Sequence, residues 1–182
     1  MHQGDKRKLY CTRHGQTVWN EKNLVCGLTD VELTDLGRAQ ADTLGKELEN
    51  KGIDLIICSP LKRARDTANI INGYCNAEVT VDERIIELNY GIYEGTSRFG
   101  KEFLDNKRNL AYKYPGGESA IQVAHRAYSL IEEVKEKYSD KTVLFVCHNG
   151  VCRLINTYFN DLTNDEYYNF GLENCELMEF EL

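Results

Sequence analysis

Three short polar groups in this chain hold residues suited to phosphoryl chemistry: Arg13-His14-Gly15, the stretch from Ser59-Pro60 to Arg63, and His148-Asn149-Gly150. Arginine's planar fork pairs with two phosphate oxygens at once and keeps its charge at any working pH. A neutral imidazole is a competent nucleophile near neutrality and can carry a phosphoryl group transiently. A protonated carboxyl group beside it could hand a proton to the leaving oxygen. Taken singly, each residue has a plainer reading. A histidine at a strand end is commonly a hydrogen-bonded structural residue, and an arginine is commonly a surface charge. The shared placement is the informative feature, because each group follows an apolar run.

Those runs are KLYCTRH (8–14), DLIICS (54–59) and TVLFVC (142–147). They read as strands, the last two apolar enough to be covered on both faces. Helical stretches alternate with them. Thr34 predicts the N-cap of a helix carrying Ala41, Leu44 and Leu48 on one face and stopping near Gly52. Ser59 and Pro60 predict an N-cap and first helical position for LKRARDTANII. After Ser119, Ile121, Ala124, Tyr128, Ile131 and Val134 recur at helical spacing, and GVCRLINTYF reads as the helix following the third strand. The final run, CELMEFEL, alternates like a half-buried edge strand, whereas residues 15–33 and 82–118 show little periodicity. The alternation predicts a three-layer α/β/α fold around a mainly parallel sheet, in one domain spanning 1–182 with residues 1–7 flexible. Ligands of such sheets bind beyond the carboxyl ends of the strands, where helix N-termini favour anions. Both histidines and both arginines are therefore expected to converge on one small volume.

Composition narrows the partners. The 182 residues carry 29 acidic and 22 basic side chains, a net charge of −7. That balance argues against nucleic acid or an anionic membrane as partner, yet leaves room for a small anionic substrate in a locally positive pocket. No apolar run is long enough for a membrane span and the head MHQGDKRK has no signal-peptide core, so a cytoplasmic location is expected. The seven cysteines (Cys11, Cys26, Cys58, Cys75, Cys147, Cys152, Cys175) are scattered without a CxxC pair. They read as reduced thiols packed as small hydrophobes, with no metal site.

The chain resembles the histidine phosphatase superfamily, which includes cofactor-dependent phosphoglycerate mutases and many small phosphatases. CTRHGQTVWN (11–20) resembles its signature, CGLTDVELTDLGRAQA (26–41) its second block and CSPLKRARDTA (58–68) its arginine-bearing block. IIELNYGIYEG (85–95) is similar to the acid-bearing block, YPGGES (114–119) to the loop before a long helix, and VLFVCHNGVCR (143–153) to the second-histidine block. The resemblance implies a phosphoglycerate mutase-like fold. It makes His14 the nucleophile that becomes phosphohistidine, and Glu87 the proton donor. Arg13, Arg63 and His148 would bind the transferring phosphoryl group. Thr17, Asn20, Cys26, Gly27, Tyr90, Asn149 and Gly150 are the expected substrate-binding positions. No metal or other cofactor is implied, since arginine and imidazolium would supply the positive charge. Cys26 stands where the family often has a polar residue and Asn149 where it often has a second glycine, departures that bear on substrate selection.

Three functions fit that resemblance: a phosphatase for a small phosphomonoester, a phosphoglycerate mutase, or a noncatalytic binder of a phosphorylated ligand. The complete set of chemical residues disfavours the binder. About sixty residues separate Glu87 from His148, few for a lid that would exclude water, and GIYEG is similar to the branch of α-ribazole phosphatases and broad-specificity phosphatases. Both points favour a phosphatase acting on a small phosphorylated metabolite. His2 and His125 read as bystanders. Tyr93 and Glu94 read as shaping the turn around Gly91 and Gly95, and Gly116-Gly117 only weakly resembles a phosphate-cradling loop.

Overall fold

Five strands, β1 (Lys8–Arg13), β2 (Leu55–Cys58), β3 (Glu78–Val81), β4 (Val143–Cys147) and β5 (Leu177–Glu181), form one sheet in the order β3-β2-β4-β1-β5. These and all other features come from a computed structural model that describes residues 7–182; the polar head with His2 lies outside the described residues. The first four strands are parallel and β5 runs antiparallel to β1. The apolar runs at β2 and β4 are buried throughout, as strands covered on both faces must be.

Strand side chains alternate between faces, and the two faces supply two cores. Leu9, Cys11, Leu55, Ile57, Val143, Phe145 and Cys147 pack on one side with α5 (Ala120–Lys137) and α6 (Asn149–Phe159). Tyr10, Ile56, Cys58, Leu144 and Val146 pack on the other with α2 (Asp35–Leu48) and α3 (Lys62–Cys75). This is the three-layer α/β/α arrangement. Three shorter helices, α1 (Val18–Glu21), α4 (Lys101–Lys107) and α7 (Asn164–Asn169), lie in segments without sequence periodicity. Among the described residues no helix is long and apolar enough to cross a membrane.

Two local expectations need correcting, and two further features carried no sequence signal. Ser59 does not cap α3: the cap position is Leu61, without a side-chain bond, because the Ser59 hydroxyl is 2.7 Å from His148 Nε2. Ile121 is exposed at 56%, and the buried stripe of α5 runs instead through Ala120, Val123, Ala127, Leu130, Ile131 and Val134. The short strand β3 had no separate signal, since its four residues form a largely exposed edge. The scattered cysteines are not all apart: the sulfurs of Cys11, Cys147 and Cys152 lie 3.5–3.7 Å from one another, fully buried. All seven cysteines are free thiols, and burial pushes those of Cys11 and Cys152 well above the usual thiol range.

Candidate active site

Register delivers the polar groups to one edge. β1 pairs with β4 so that Arg13 sits opposite Cys147, and the next amide, His14 N–H, donates to the Cys147 carbonyl at 3.0 Å. Ser59 N–H donates to Val146 O at 3.0 Å, so the ends of β1, β2 and β4 lie side by side. The imidazoles of His14 and His148 consequently meet edge to face with centroids 5.1 Å apart. The chain after β1 turns tightly against α2. A Cβ on Gly15 would lie 2.3 Å from Gly37 O, and one on Gly37 would lie 2.1 Å from Gln16 O, so both positions require glycine.

His14 is oriented by its backbone. Nδ1 lies 2.7 Å from Gly15 O, a carbonyl that can only accept, so the proton is on Nδ1 and Nε2 keeps its lone pair. Arg63 Nε donates to that Nε2 at 3.2 Å. Burial, then the charges of Arg63 and Arg13, hold the His14 pKa well below the ordinary imidazole value, so the ring is neutral at physiological pH. His148 is depressed in the same way by burial and by Arg63, His14 and Arg13. It is therefore neutral in the free protein. The Ser59 hydroxyl can donate to or accept from Nε2; the tautomer in which it donates puts the proton on Nδ1.

Arg63 is fully buried at the start of α3, with Nη1 donating to Thr29 O at 2.9 Å and Nη2 to Gly27 O at 2.7 Å. The loop carrying these carbonyls is itself clamped. Glu94 accepts from the backbone amides of Leu28 and Thr29, each at 2.8 Å, and from the Thr29 hydroxyl. Glu94 thus does more than shape its own turn: it holds the loop that aims the Arg63 guanidinium. Tyr93 does shape the turn, its carbonyl accepting from the Thr96 amide and hydroxyl.

Glu87 enters from the irregular segment between β3 and α4. Its carboxylate accepts from Leu88 N–H at 2.8 Å and from Gly150 N–H at 3.2 Å. A Cβ on Gly150 would come within 2.5 Å of that carboxylate, so only glycine permits the approach. Burial raises the Glu87 pKa, opposed by the two amides and Arg63. Arg126 on α5 braces the segment by donating to the Glu87 carbonyl at 3.2 Å.

A cavity of about 250 Å³ opens over this edge, lined among others by Arg13, His14, Asn20, Cys26, Glu87, Tyr90 and Asn149. Of the expected substrate-binding residues, Thr17, Gly27 and Gly150 do not line it. Thr17 caps α1 in a reciprocal pairing with Asn20, the Gly27 carbonyl holds Arg63, and the Gly150 amide holds Glu87. Gly116-Gly117 also lies elsewhere, packed against the Asn89–Gly91 backbone. His125 is exposed on α5. The sequence reading missed Arg98, Lys107 and Arg153 in the cavity wall. For Arg153 the signal was present, one helical turn beyond Asn149; Arg98 and Lys107 sit in a segment with no period to read.

Two buried side-chain nitrogens lack a hydrogen-bond partner among the described residues: Arg13 Nε and His148 Nδ1. Leaving buried donors unpaired is costly, about 1–3 kcal/mol each. Two such donors beside a neutral imidazole and a second guanidinium fit a bound tetrahedral oxyanion.

The titration shifts set an expected pH profile of stability. His14 and His148 bind protons less readily when folded than in the unfolded chain, where imidazole titrates near 6.5. Their contribution is present above that value and is lost as pH falls below it, by up to about 1.4 kcal/mol per pH unit for each histidine. Glu87, raised on folding, acts oppositely: its contribution is lost as pH rises through its folded value. Urea midpoints between pH 7.5 and 5 should fall steeply, and less steeply for His14→Asn. Identical slopes would contradict the neutral, buried assignment.

Comparison with known proteins agrees with this geometry. A sequence profile of the histidine phosphatase superfamily (branch 1) matches residues 9–182. The chain is 35% identical over 176 residues to an acid phosphatase of Mycobacterium tuberculosis, covering 93% of this chain and 84% of the relative. It is 30% identical over 175 residues to phosphoserine phosphatase 1 of Hydrogenobacter thermophilus, covering 92% and 83%. The solved mycobacterial glucosyl-3-phosphoglycerate phosphatase superposes with a TM-score of 0.86 at 28% identity, over 95% of this chain and 90% of that one. Relatives of both kinds, phosphatases and mutases, make this protein one or the other. By sequence profile, relatives and fold alike, the chain belongs to the histidine phosphatase superfamily.

Proposed function

We propose that this protein is a metal-independent phosphatase that hydrolyses a small phosphomonoester through a phosphohistidine on His14. The observation that carries the reading is His14 itself: neutral, its proton on Nδ1, and its unprotonated Nε2 turned toward two arginines, Arg63 among them as a hydrogen-bond donor that substrate must displace. In the first step the Nε2 lone pair attacks phosphorus in line. The P–O ester bond breaks, and the leaving oxygen takes the proton of Glu87. Arg13, Arg63 and the Nδ1–H of His148 hold the equatorial oxygens as charge spreads over them. In the second step water attacks the phosphohistidine, Glu87 as carboxylate removes its proton, and the P–N bond breaks to release phosphate and restore His14.

Hydrolysis is favoured over mutase activity by the small number of residues between Glu87 and His148 and by a cavity open to solvent water. The test is release of inorganic phosphate from a panel of phosphomonoesters, with phosphoglycerate isomerisation followed in the same samples. Phosphate release should dominate, survive dialysis against chelator, and be inhibited by vanadate, which mimics the five-coordinate phosphorus. Isomerisation without release would make the protein a mutase. Loss of activity on chelation, restored by a divalent cation, would overturn the metal-free mechanism.

A further inference from the structure

Three elements aim a cysteine sulfur at one point on the face of the sheet that α5 and α6 cover. Cys11 lies on β1 opposite Phe145 of β4, so Cys147, two residues further along β4, presents its side chain to the same face. Cys152 reaches that face from the first turn of α6, where its N–H donates to His148 O at 2.8 Å. The Cys147 and Cys152 sulfurs are 3.5 Å apart, and that of Cys11 is 3.7 Å from each. All three are fully buried free thiols, in an apolar core with Phe145, Val151 and Ile155. Their positions along the chain match no metal-binding motif, so only the fold brings them together. None of the three lines the cavity over the phosphoryl site.

The donor set is soft and ends at three. Thiolates select soft ions over hard ones. Sulfurs this near one another can hold a centre about 2.3 Å from each, lying roughly 1 Å out of their plane, a pyramidal three-coordinate geometry. Among the described residues no histidine or carboxylate joins them, and full burial leaves no place for water. A tetrahedral ion such as zinc therefore lacks its fourth ligand. Charge then selects the valence. Three thiolates around a divalent ion leave a net negative charge in an apolar core, which is costly to bury, whereas a trivalent centre leaves none. Proton loss is also prepared for. Burial opposes charge on Cys147, but Cys11 and Cys152 donate toward its sulfur, so its pKa is lowered while burial raises theirs.

We propose that Cys11, Cys147 and Cys152 form a binding site for a soft trivalent ion held by three sulfurs alone, with trivalent arsenic as the ion of matching valence. Arsenous acid loads it without any change of oxidation state. Three As–O bonds break, three As–S bonds form, and each thiol proton leaves with a hydroxyl as water. The product is neutral. The site stands apart from the phosphatase chemistry, which uses no metal, and does not depend on that reading.

The test loads the reduced protein with arsenous acid, both by prolonged incubation and by expression in its presence, and removes free arsenic by gel filtration. One arsenic per chain should be retained, and X-ray absorption should show three sulfurs at about 2.3 Å and no oxygen. Retention should fall roughly tenfold or more in Cys152→Ala or Cys11→Ala, because the third sulfur closes the chelate. It should stay at one per chain in Cys75→Ala, a thiol at the end of α3 that packs against the opposite core. Either triad variant suffices and the absorption measurement needs neither, so a variant that fails to fold leaves the test intact. No arsenic retained by either route, a shell of two sulfurs and one oxygen, or an equal loss in Cys75→Ala would overturn the proposal. Zinc supplied in the same two ways should not be retained. Zinc held by these cysteines in a four-donor shell would overturn the three-sulfur geometry.

Discussion

Replacing His14 by alanine is expected to lower turnover by roughly four orders of magnitude or more, the loss seen when a nucleophile is removed from an otherwise intact site. No neighbour can substitute. His148 Nε2 is 2.7 Å from Ser59 Oγ, and in the tautomer that this hydroxyl supports by donating, Nδ1 carries the proton and offers no unshared pair. Acid-quenched wild-type protein should hold an acid-labile, base-stable phosphoryl group after mixing with substrate, and His14→Ala should hold none. The variant should still fold, because the His14 side chain makes only two bonds, to Gly15 O and from Arg63 Nε, and Arg63 stays anchored by Gly27 O and Thr29 O. A phosphoenzyme persisting in His14→Ala would place the nucleophile elsewhere.

Glu87→Gln is expected to slow phosphoryl transfer by roughly a hundred- to ten-thousandfold for alkyl phosphates, whose alkoxide cannot leave unprotonated. With p-nitrophenyl phosphate the loss should be far smaller, because that phenolate leaves unaided. The amide nearly matches the carboxyl in shape, although it can offer only one oxygen to the amides of Leu88 and Gly150 that now hold both carboxylate oxygens. Burial raises the Glu87 pKa, and a dianionic phosphate beside it raises it further, so the acid form is available when substrate is bound. Alkyl phosphate turnover should therefore decline as pH climbs through that raised value, and the decline should vanish in Glu87→Gln. Equal losses on both substrates in single-turnover phosphorylation of His14 would show that Glu87 orients the site without donating a proton.

Much of this protein follows from local sequence because the relevant patterns are local. The runs LIIC and VLFVC can satisfy neither water nor a helical face, so they become buried strands, and the polar residues after them must fall at the sheet edge. Thr34 and Ser119 cap α2 and α5 as their side-chain chemistry predicts. Arg13, His14, Arg63 and His148 were legible as a group for that reason. Glu87 was named through resemblance, since its segment has no periodicity.

Tertiary structure decided the rest through contacts between residues far apart in the chain. The β1–β4 register sets the His14–His148 distance, and the 63-residue step from Glu87 to Gly150 is closed by one amide hydrogen bond. The same long-range packing gathers three scattered cysteines under the sheet and moves Ser59 from a helix cap to His148. It also brings Glu94 to the loop that aims Arg63, and Arg98, Lys107 and Arg153 to one wall. A sequence pattern reports which face of an element is apolar. It does not report which irregular segment returns to that face, because such contacts depend on chain closure and shape, which have no period.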